Sequence, residues 1–209
     1  TDLYFGNITE WSQKAKQYVL DPQFTANYAL IGLLETRLRD MAFQEARELC
    51  GKAGFRVNAN MAVLTEASGK SCGELILTKK HLVMDKDIGA SLATRFLVQS
   101  VMMGGKPLLI GIVYMHTGLP LTHPDNRDLL LHIFGACRSW SAPFILYGDW
   151  QVHPQELLNT GMLEYANSRL IIPGLGNGQT LPGAELPVTC TTTGGTLDSQ
   201  LLDNVYVRL

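Results

Sequence analysis

The sequence predicts a single domain of the α/β class, in which β-sheets are covered by helices. The length of 209 residues suits one domain with a sizeable hydrophobic core. Hydrophobic residues make up 46% of the chain and charged residues only 17%, against an ordinary charged share of about 25%, so a buried sheet is expected. Apolar runs of strand length also alternate with apolar stripes of helical spacing.

The N-terminal part is predicted to contain two strands, each followed by a helix. Residues 3–6 form a short apolar run, and the helical pattern after it has Thr9 as its capping candidate. Residues 28–34 form a second, longer apolar run. An apolar stripe over residues 38–49 then predicts a helix that ends near Gly51.

The middle of the chain favours antiparallel strands, and the last third returns to a mixed pattern. Strand-like runs cover residues 74–78, 94–102 and 107–115, and the glycine pair at 104–105 indicates a hairpin turn between the last two. The remaining elements are a helix over 126–137 capped by Asp125, a strand at 144–147, a loop rich in Gly, Pro and Thr at 172–196, and a β-like end at 201–209.

Charge and cysteine content limit the function classes. The net charge of -2 argues against a polycationic arm that binds nucleic acid by charge alone, so any such contact would be local. No apolar stretch approaches the roughly 20 residues of a membrane span, and no signal peptide opens the chain. A membrane partner is therefore not expected, and the predicted location is intracellular, in the cytoplasm or nucleus. The four cysteines are isolated in the sequence, and their spacing suggests neither a zinc site nor a disulfide framework; they are Cys50, Cys72, Cys137 and Cys190.

Four strand-like runs end on a side chain that can bind a hard cation or a phosphate. These side chains are Asn7, Glu35, His116 and Asp149. Residues at strand ends can converge on a ligand crevice even when they are distant in the chain. Mg²⁺ needs only one or two carboxylates and an amide beside a substrate phosphate, which Glu35, Asp149 and Asn7 could supply. A histidine such as His116 could donate a proton or a hydrogen bond to the transition state.

Each of these residues also has a simple structural interpretation. Glu35 could pair with Arg37 or Arg39 at the surface. Asn7 could be only a turn residue, and His116 a partly buried, hydrogen-bonded side chain. The order of the whole set, rather than any one residue, favours the functional interpretation.

With this set assembled, the chain resembles the endonuclease/exonuclease/phosphatase superfamily, which has the DNase I-like fold. Residues 30–38, LIGLLETRL, resemble the family strand that ends in a metal-binding glutamate, with Glu35 in that position. Residues 5–11, FGNITEW, are similar to the opening strand with its metal-proximal asparagine, here Asn7. Residues 72–81 resemble a glycine-led strand of the family.

The second half of the chain carries further parts of the resemblance. Residues 108–120, LLIGIVYMHTGLP, resemble a strand that ends in a catalytic histidine in one branch and a tyrosine in another; His116 fits the first and is favoured, and Tyr114 fits the second. ILYGDWQVHP, residues 145–154, is similar to the Gly-Asp-x-Asn motif, with Asp149 kept and Gln151 in place of asparagine. LLDNVYV, residues 201–207, places Asp203 in the family aspartate position, for which Asp198 is a second candidate.

The resemblance implies two packed mixed sheets flanked by helices, and Mg²⁺-dependent (or Mn²⁺-dependent) cleavage of a phosphoester by activated water. Glu35, aided by Asn7, would hold the metal. Asp149 and Gln151 would orient water and phosphate, and His116 would stabilise the transition state. Asp203 would orient the histidine of a closing Ser-Asp-His motif that the chain does not contain, so residues 1–209 are expected to be one domain cut before that motif.

The leading hypothesis is thus a metal-dependent phosphodiesterase with nucleic acid or another phosphoester as substrate and no obvious protein partner. One alternative is a decayed or recruited scaffold, such as a mobile-element remnant, that keeps the fold without chemistry; Gln151 and the missing motif favour it. A third hypothesis, a sugar-binding or nucleotide-binding module, depends on the glycine-rich GLGNG loop at residues 174–178.

Overall fold

Two β-sheets and the helices outside them make up the described part of the chain. The computed structural model describes residues 2–65, 69–84 and 94–171, and the backbone of 203–208. The strands in chain order are β1 (Asp2–Asn7), β2 (Tyr28–Leu34), β3 (Phe55–Asn60), β4 (Val63–Leu64), β5 (Lys70–Ser71), β6 (Glu74–Lys79), β7 (Phe96–Met103), β8 (Lys106–Tyr114), β9 (Phe144–Asp149), β10 (Arg169–Ile171) and β11 (Asp203–Arg208). The helices are α1 (Gln13–Val19), α2 (Pro22–Asn27), α3 (Asp40–Lys52), α4 (Pro124–Ser139), α5 (Pro154–Leu158) and α6 (Met162–Tyr165).

Both large sheets are mixed, and each contains one parallel pair of strands. The first sheet has the order β1-β2-β6-β3, with β1 and β2 parallel and the other pairs antiparallel. The second has the order β10-β11-β9-β8-β7, with β8 and β9 parallel. Among the described strands, the short β4 and β5 pair only with each other. Parallel strands end at the same edge, so each sheet presents two strand ends together.

The apolar side chains form three layers of core, which gives a four-layer sandwich. Because side chains alternate across a strand, each sheet has one inner and one outer apolar face. Leu30, Leu34 and Ile76 of the first sheet meet Leu97 and Ile110 of the second between the sheets. The outer faces pack against α1 and α3 on one side and against α4 to α6 on the other. Full burial of one such side chain contributes about 1.5–3 kcal/mol.

The predicted strands and the hairpin between β7 and β8 are confirmed, whereas two predicted helix caps are wrong. The helix after β1 begins at Gln13 with Ser12 as its cap, because the Ser12 hydroxyl accepts from the Ala15 N–H, and Thr9 lies outside it. The cap of α4 is His123 rather than Asp125. Strand β3 was not predicted. The interpretations of 172–196, GLGNG, Cys190 and Asp198 lie outside the described residues.

Within the described residues, no helix combines the length and the apolar character that crossing a membrane requires.

Candidate active site at the ends of the parallel strands

The ends of the two parallel strand pairs meet, and one amide connects them. Asn7 is the last residue of β1, Glu35 follows β2, and Asp149 is the last residue of β9. Asn7 Nδ2 donates to Glu35 Oε1 at 2.7 Å and approaches Asp149 Oδ2 at 3.4 Å. Residues 142 positions apart in the chain are thereby brought together. The structure thus joins three of the four strand-end side chains that the sequence singled out.

Backbone turns direct the Asn7 and Glu35 side chains into this position. The Thr9 N–H donates to Asn7 Oδ1 at 3.0 Å, which fixes the amide, and Thr9 has a left-handed φ of 61°. Glu35 also has a left-handed backbone, with φ of 54°. A non-glycine residue pays roughly 1–2 kcal/mol for that conformation. Such strain persists where the surrounding structure over-determines it, and it is concentrated at functional sites.

The chain around Glu35 is held by the segment before β6. The N–H groups of Thr36 and Arg37 donate to the carbonyls of Gly73 and Cys72 at 2.9 and 3.1 Å. A Cβ atom on Gly73 would lie 2.7 Å from Thr36 Oγ1 and 3.0 Å from the Arg37 nitrogen, so only glycine permits this approach. The Glu35 carboxylate also lies 3.8 Å from the Arg37 guanidinium. The surface ion pair considered for Glu35 is therefore present together with its contact to Asn7.

Gln151 turns back onto Asp149. Its Nε2 donates to Asp149 Oδ1 at 2.6 Å, and its backbone is left-handed with φ of 55°. Asp149 is only 3% exposed, and its carbonyl accepts from the Met115 N–H at 3.0 Å. The two oxygens of this buried carboxylate thus each face an amide, Oδ1 that of Gln151 and Oδ2 that of Asn7.

Tyr114 lies among these carboxylates. It pairs with Asp149 across the parallel strands β8 and β9, and its hydroxyl lies 3.4 Å from Thr117 Oγ1. Burial is the main cause that raises the pKa of Tyr114 to about 12, and the negative charges of Glu35 and Asp149 add to the increase. The hydroxyl is consequently protonated at neutral pH and can donate a hydrogen bond.

His116 lies at the neighbouring cavity instead. Its backbone N–H donates to Asn126 Oδ1 at 2.9 Å. Its side chain lines a cavity of about 510 Å³ together with Arg95, Asp125 and His132. Burial lowers the pKa of His116, and so do the charges of Arg95 and His123, against an opposite effect of Asp125. The side chain is therefore neutral at physiological pH. The role predicted for His116 stays a prediction.

Asp203 reaches the same edge through the sheet. It is paired with Asp149 in the antiparallel register of β11 and β9, which places its backbone beside the strand end that carries Asp149. Its side chain lies outside the described part of the chain, so the role given to it also stays a prediction.

Two residues near the site were not predicted. Asn126 is fully buried, and its Nδ2 donates to the carbonyls of Leu119 and His116 at 2.8 and 3.3 Å, so it holds the loop after β8. Arg95 lies over the Tyr114 ring, with its guanidinium carbon 5.3 Å from the ring centroid. Neither has a sequence signal, because an asparagine at the start of a helix and a lone arginine before a strand are both common.

The residues present fit a divalent cation of the magnesium type. Two carboxylates from different sheets, Glu35 and Asp149, lie on either side of one amide in a partly buried position. Carboxylate and amide oxygens are the ligands that Mg²⁺ prefers, and it commonly keeps several waters. Among the described residues there is no group of three His, Cys, Asp or Glu side chains placed to hold a metal. A site with few protein ligands is therefore the one that this donor set could form.

The comparisons with known proteins agree with the fold. No family model matches the chain, and a search of the curated proteins finds no match. A humanized TDP2 from D. rerio matches with a TM-score of 0.64 at 13% identity, over 98% of this chain and 81% of that one. The endonuclease domain of TRAS1, a telomere-specific non-LTR retrotransposon, matches with a TM-score of 0.61 at 13% identity, over 97% of this chain and 82% of that one.

A third similar structure is an endonuclease/exonuclease/phosphatase family protein from Leptotrichia buccalis. It matches with a TM-score of 0.58 at 14% identity, over 98% of this chain and 86% of that one. At such identity the likeness establishes the fold alone. The DNase I-like sandwich of two mixed sheets flanked by helices, which the resemblance implied, is confirmed.

Proposed function

We propose that this chain, whose fold is that of the endonuclease/exonuclease/phosphatase proteins, is a metal-dependent phosphoesterase of the nuclease type. The observation that carries the proposal is the Asn7 amide, which lies 2.7 Å from the Glu35 carboxylate and 3.4 Å from that of Asp149. Two carboxylates beside one amide concentrate negative charge in a partly buried site, and a bound cation would balance that charge. The left-handed backbone at Glu35 adds a second sign of a functional site.

The chain's own residues would divide the work as follows. Glu35, aided by Asn7, would hold Mg²⁺ or Mn²⁺, which supplies charge stabilisation to the phosphoryl oxygens when bound. Asp149 would accept a hydrogen bond from the attacking water and so orient it. The protonated Tyr114 hydroxyl would donate a hydrogen bond to an oxygen that gains charge in the transition state.

His116 and Gln151 complete this assignment. The neutral imidazole of His116 could donate to a phosphate oxygen that enters the cavity it lines. The Gln151 amide would help to position the phosphate or the water, but only after its 2.6 Å bond to Asp149 is released. For Asp203 we propose the orienting role that the resemblance implies, and we propose that residues 1–209 are one domain of this kind.

Nucleic acid is the substrate class that we favour. One similar structure is an endonuclease domain, and another, TDP2 from D. rerio, is complexed with a single strand DNA product. With a net charge of -2, the chain would depend on local cations such as Arg37, which lies 3.8 Å from Glu35, for contact with phosphates. We propose a nuclear or cytoplasmic location, because nucleic acid is found in both compartments.

A scaffold without hydrolase activity is the second candidate. The specific observation in its favour is the short hydrogen bond from Gln151 to Asp149, which occupies an oxygen that the reaction needs. A recruited or decayed domain of mobile-element origin would tolerate this contact, whereas an efficient enzyme would have to break it in each turnover.

Metal binding separates the two candidates before activity is measured. Calorimetric titration with Mg²⁺ and Mn²⁺ should show saturable binding to the unaltered chain and to Glu48→Gln, which changes an exposed carboxylate on α3. Glu35→Gln should lose it, because it removes the charge at the site and keeps the shape. Cleavage of a fluorescent single-stranded oligonucleotide should then depend on the metal and on Glu35. A folded chain that binds neither metal, or that binds equally well after Glu35→Gln, would support the scaffold.

A further inference from the structure

One arginine contacts the end of strand β8 in three ways. The Arg95 guanidinium lies over the Tyr114 ring at 5.3 Å, and its Nη1 donates to the Met115 carbonyl at 3.3 Å. The Arg95 carbonyl accepts from the Tyr114 N–H at 3.0 Å. Its side chain also lines the cavity that contains His116. Three consecutive residues, two of them proposed to act in the reaction, are thus touched or faced by one side chain.

The charge of Arg95 also acts on the opposite sheet. Arg95 is half-buried, and its charge acts on Glu74, a fully buried carboxyl at the start of β6 in the opposite sheet. Neither Glu74 oxygen makes a hydrogen bond of normal geometry with the described residues. A buried carboxyl of this kind is costly, and an apolar side chain in its place is often neutral or stabilising. The position of Arg95 is therefore explained by its contacts to Tyr114 and Met115 rather than by an ion pair with Glu74.

We propose that Arg95 is a positioning residue that fixes the Tyr114 ring and acts through its charge on His116 across the cavity that both side chains line. The proposal rests on the proposed function for its catalytic consequence, but its geometric content can be tested without activity. A cation over a ring face is attracted to the ring's negative face, and a guanidinium that also donates to the next carbonyl restricts both the ring and the backbone.

The charge of Arg95 gives a direct spectroscopic readout at His116. The groups that face His116 are Arg95, Asp125, His123, Asp128 and His132. Burial is the largest cause that lowers the pKa of His116, and the positive charge of Arg95 is the next. Removal of that charge should therefore raise the pKa of His116, whereas exchange of arginine for lysine should leave it low.

The experiment compares Arg95→Met, Arg95→Lys and the control Arg47→Met, which changes an exposed arginine on α3. The ring protons of the five histidines are titrated by NMR, with the His116 signal identified by His116→Asn. We expect a higher His116 pKa in Arg95→Met alone. In both Arg95 variants we also expect loss of the NMR contacts between the Tyr114 ring and the side chain at position 95. Unchanged His116 titration in a folded Arg95→Met, or unchanged Tyr114 contacts in both variants, would overturn the proposal.

Kinetics then separate positioning from substrate contact. A displacement of about 1 Å at the reacting groups can cost about a hundredfold in rate. Arg95→Met should therefore lower kcat tenfold or more while KM changes less than twofold. The kcat of Arg95→Lys should lie between that of the unaltered chain and that of Arg95→Met. A raised KM with unchanged kcat would contradict the positioning role. Should the chain prove inactive, the proposed function fails, and the NMR titration still decides the role of Arg95.

Discussion

Gln151 donates a 2.6 Å hydrogen bond to Asp149, two residues earlier in the chain, while its backbone has a left-handed φ of 55°. The glutamine side chain is one methylene longer than that of asparagine. Its amide therefore folds back onto the Asp149 carboxylate, which the proposed reaction needs. Asparagine is several-fold enriched in the left-handed region, and glutamine is not. The Gln151 side chain thus occupies Asp149, and its backbone adopts a conformation that asparagine would take more readily.

Gln151→Asn should raise activity. The shorter amide relieves the left-handed backbone and moves the nitrogen away from Asp149 by roughly 1 Å, a displacement worth up to about a hundredfold in rate. The measurement is kcat for oligonucleotide cleavage beside the control Gln155→Asn, which changes an exposed glutamine on α5. A fall in kcat below that of the control would show that the bond to Asp149 supports the reaction.

Asn7→Ala should weaken metal binding. The amide contacts both Glu35 and Asp149, so its loss leaves the two carboxylates without this donor between them. Loss of a group that orients a ligand typically costs about 10–100-fold in metal affinity. Calorimetry with Mn²⁺ tests this result, with Asn27→Ala at the exposed end of α2 as the control. Equal affinity in both variants would remove Asn7 from the site.

Tyr114→Phe and His116→Asn should differ in effect. Tyr114 is influenced by the charges of Glu35 and Asp149, whereas His116 is influenced by Arg95, Asp125 and His123. We expect Tyr114→Phe to lower kcat by about tenfold to a hundredfold, because it removes a hydrogen-bond donor beside the carboxylates. His116→Asn should have the smaller effect on kcat. The reverse order would favour the histidine of the sequence interpretation.

The choice between these two residues shows what the sequence could and could not predict. Tyr114 and His116 are two positions apart, so the period of a strand places them on the same face. Strand β8 ends at Tyr114, however, and the loop after it is held by Asn126. That contact between a loop and the buried end of a helix separates the two side chains, and no local pattern encodes it.

Other elements could be predicted because their signals are local. The apolar run of β2 and the glycine pair between β7 and β8 specify their structures directly. Strand β3 was missed although Phe55, Val57 and Ala59 alternate with polar residues. Its polar face is partly buried, with Asn58 Nδ2 donating to Gln99 Oε1 at 3.1 Å and to the Val98 carbonyl at 3.0 Å. These polar side chains find partners between the sheets only because β7 of the other sheet supplies them. The alternation in β3 gives no information about that partner strand.

The buried carboxyl of Glu74 should make stability fall as the pH rises. Burial raises its pKa from 4.5 to about 8, against the smaller opposite effects of the Asn60 side chain and of Arg95. The folded state therefore binds one more proton than the unfolded state between these two values, and the free energy of unfolding should fall by up to about 1.4 kcal/mol per pH unit there. Below pH 4.5 and above pH 8 this contribution is constant. Urea unfolding from pH 5 to pH 8 tests this prediction on the unaltered chain, on Glu74→Gln and on the control Glu48→Gln. Glu74→Gln should lose the slope of unfolding free energy against pH, and Glu48→Gln should keep it. Parallel curves for all three proteins would show that Glu74 ionises in the folded state as freely as in the unfolded one.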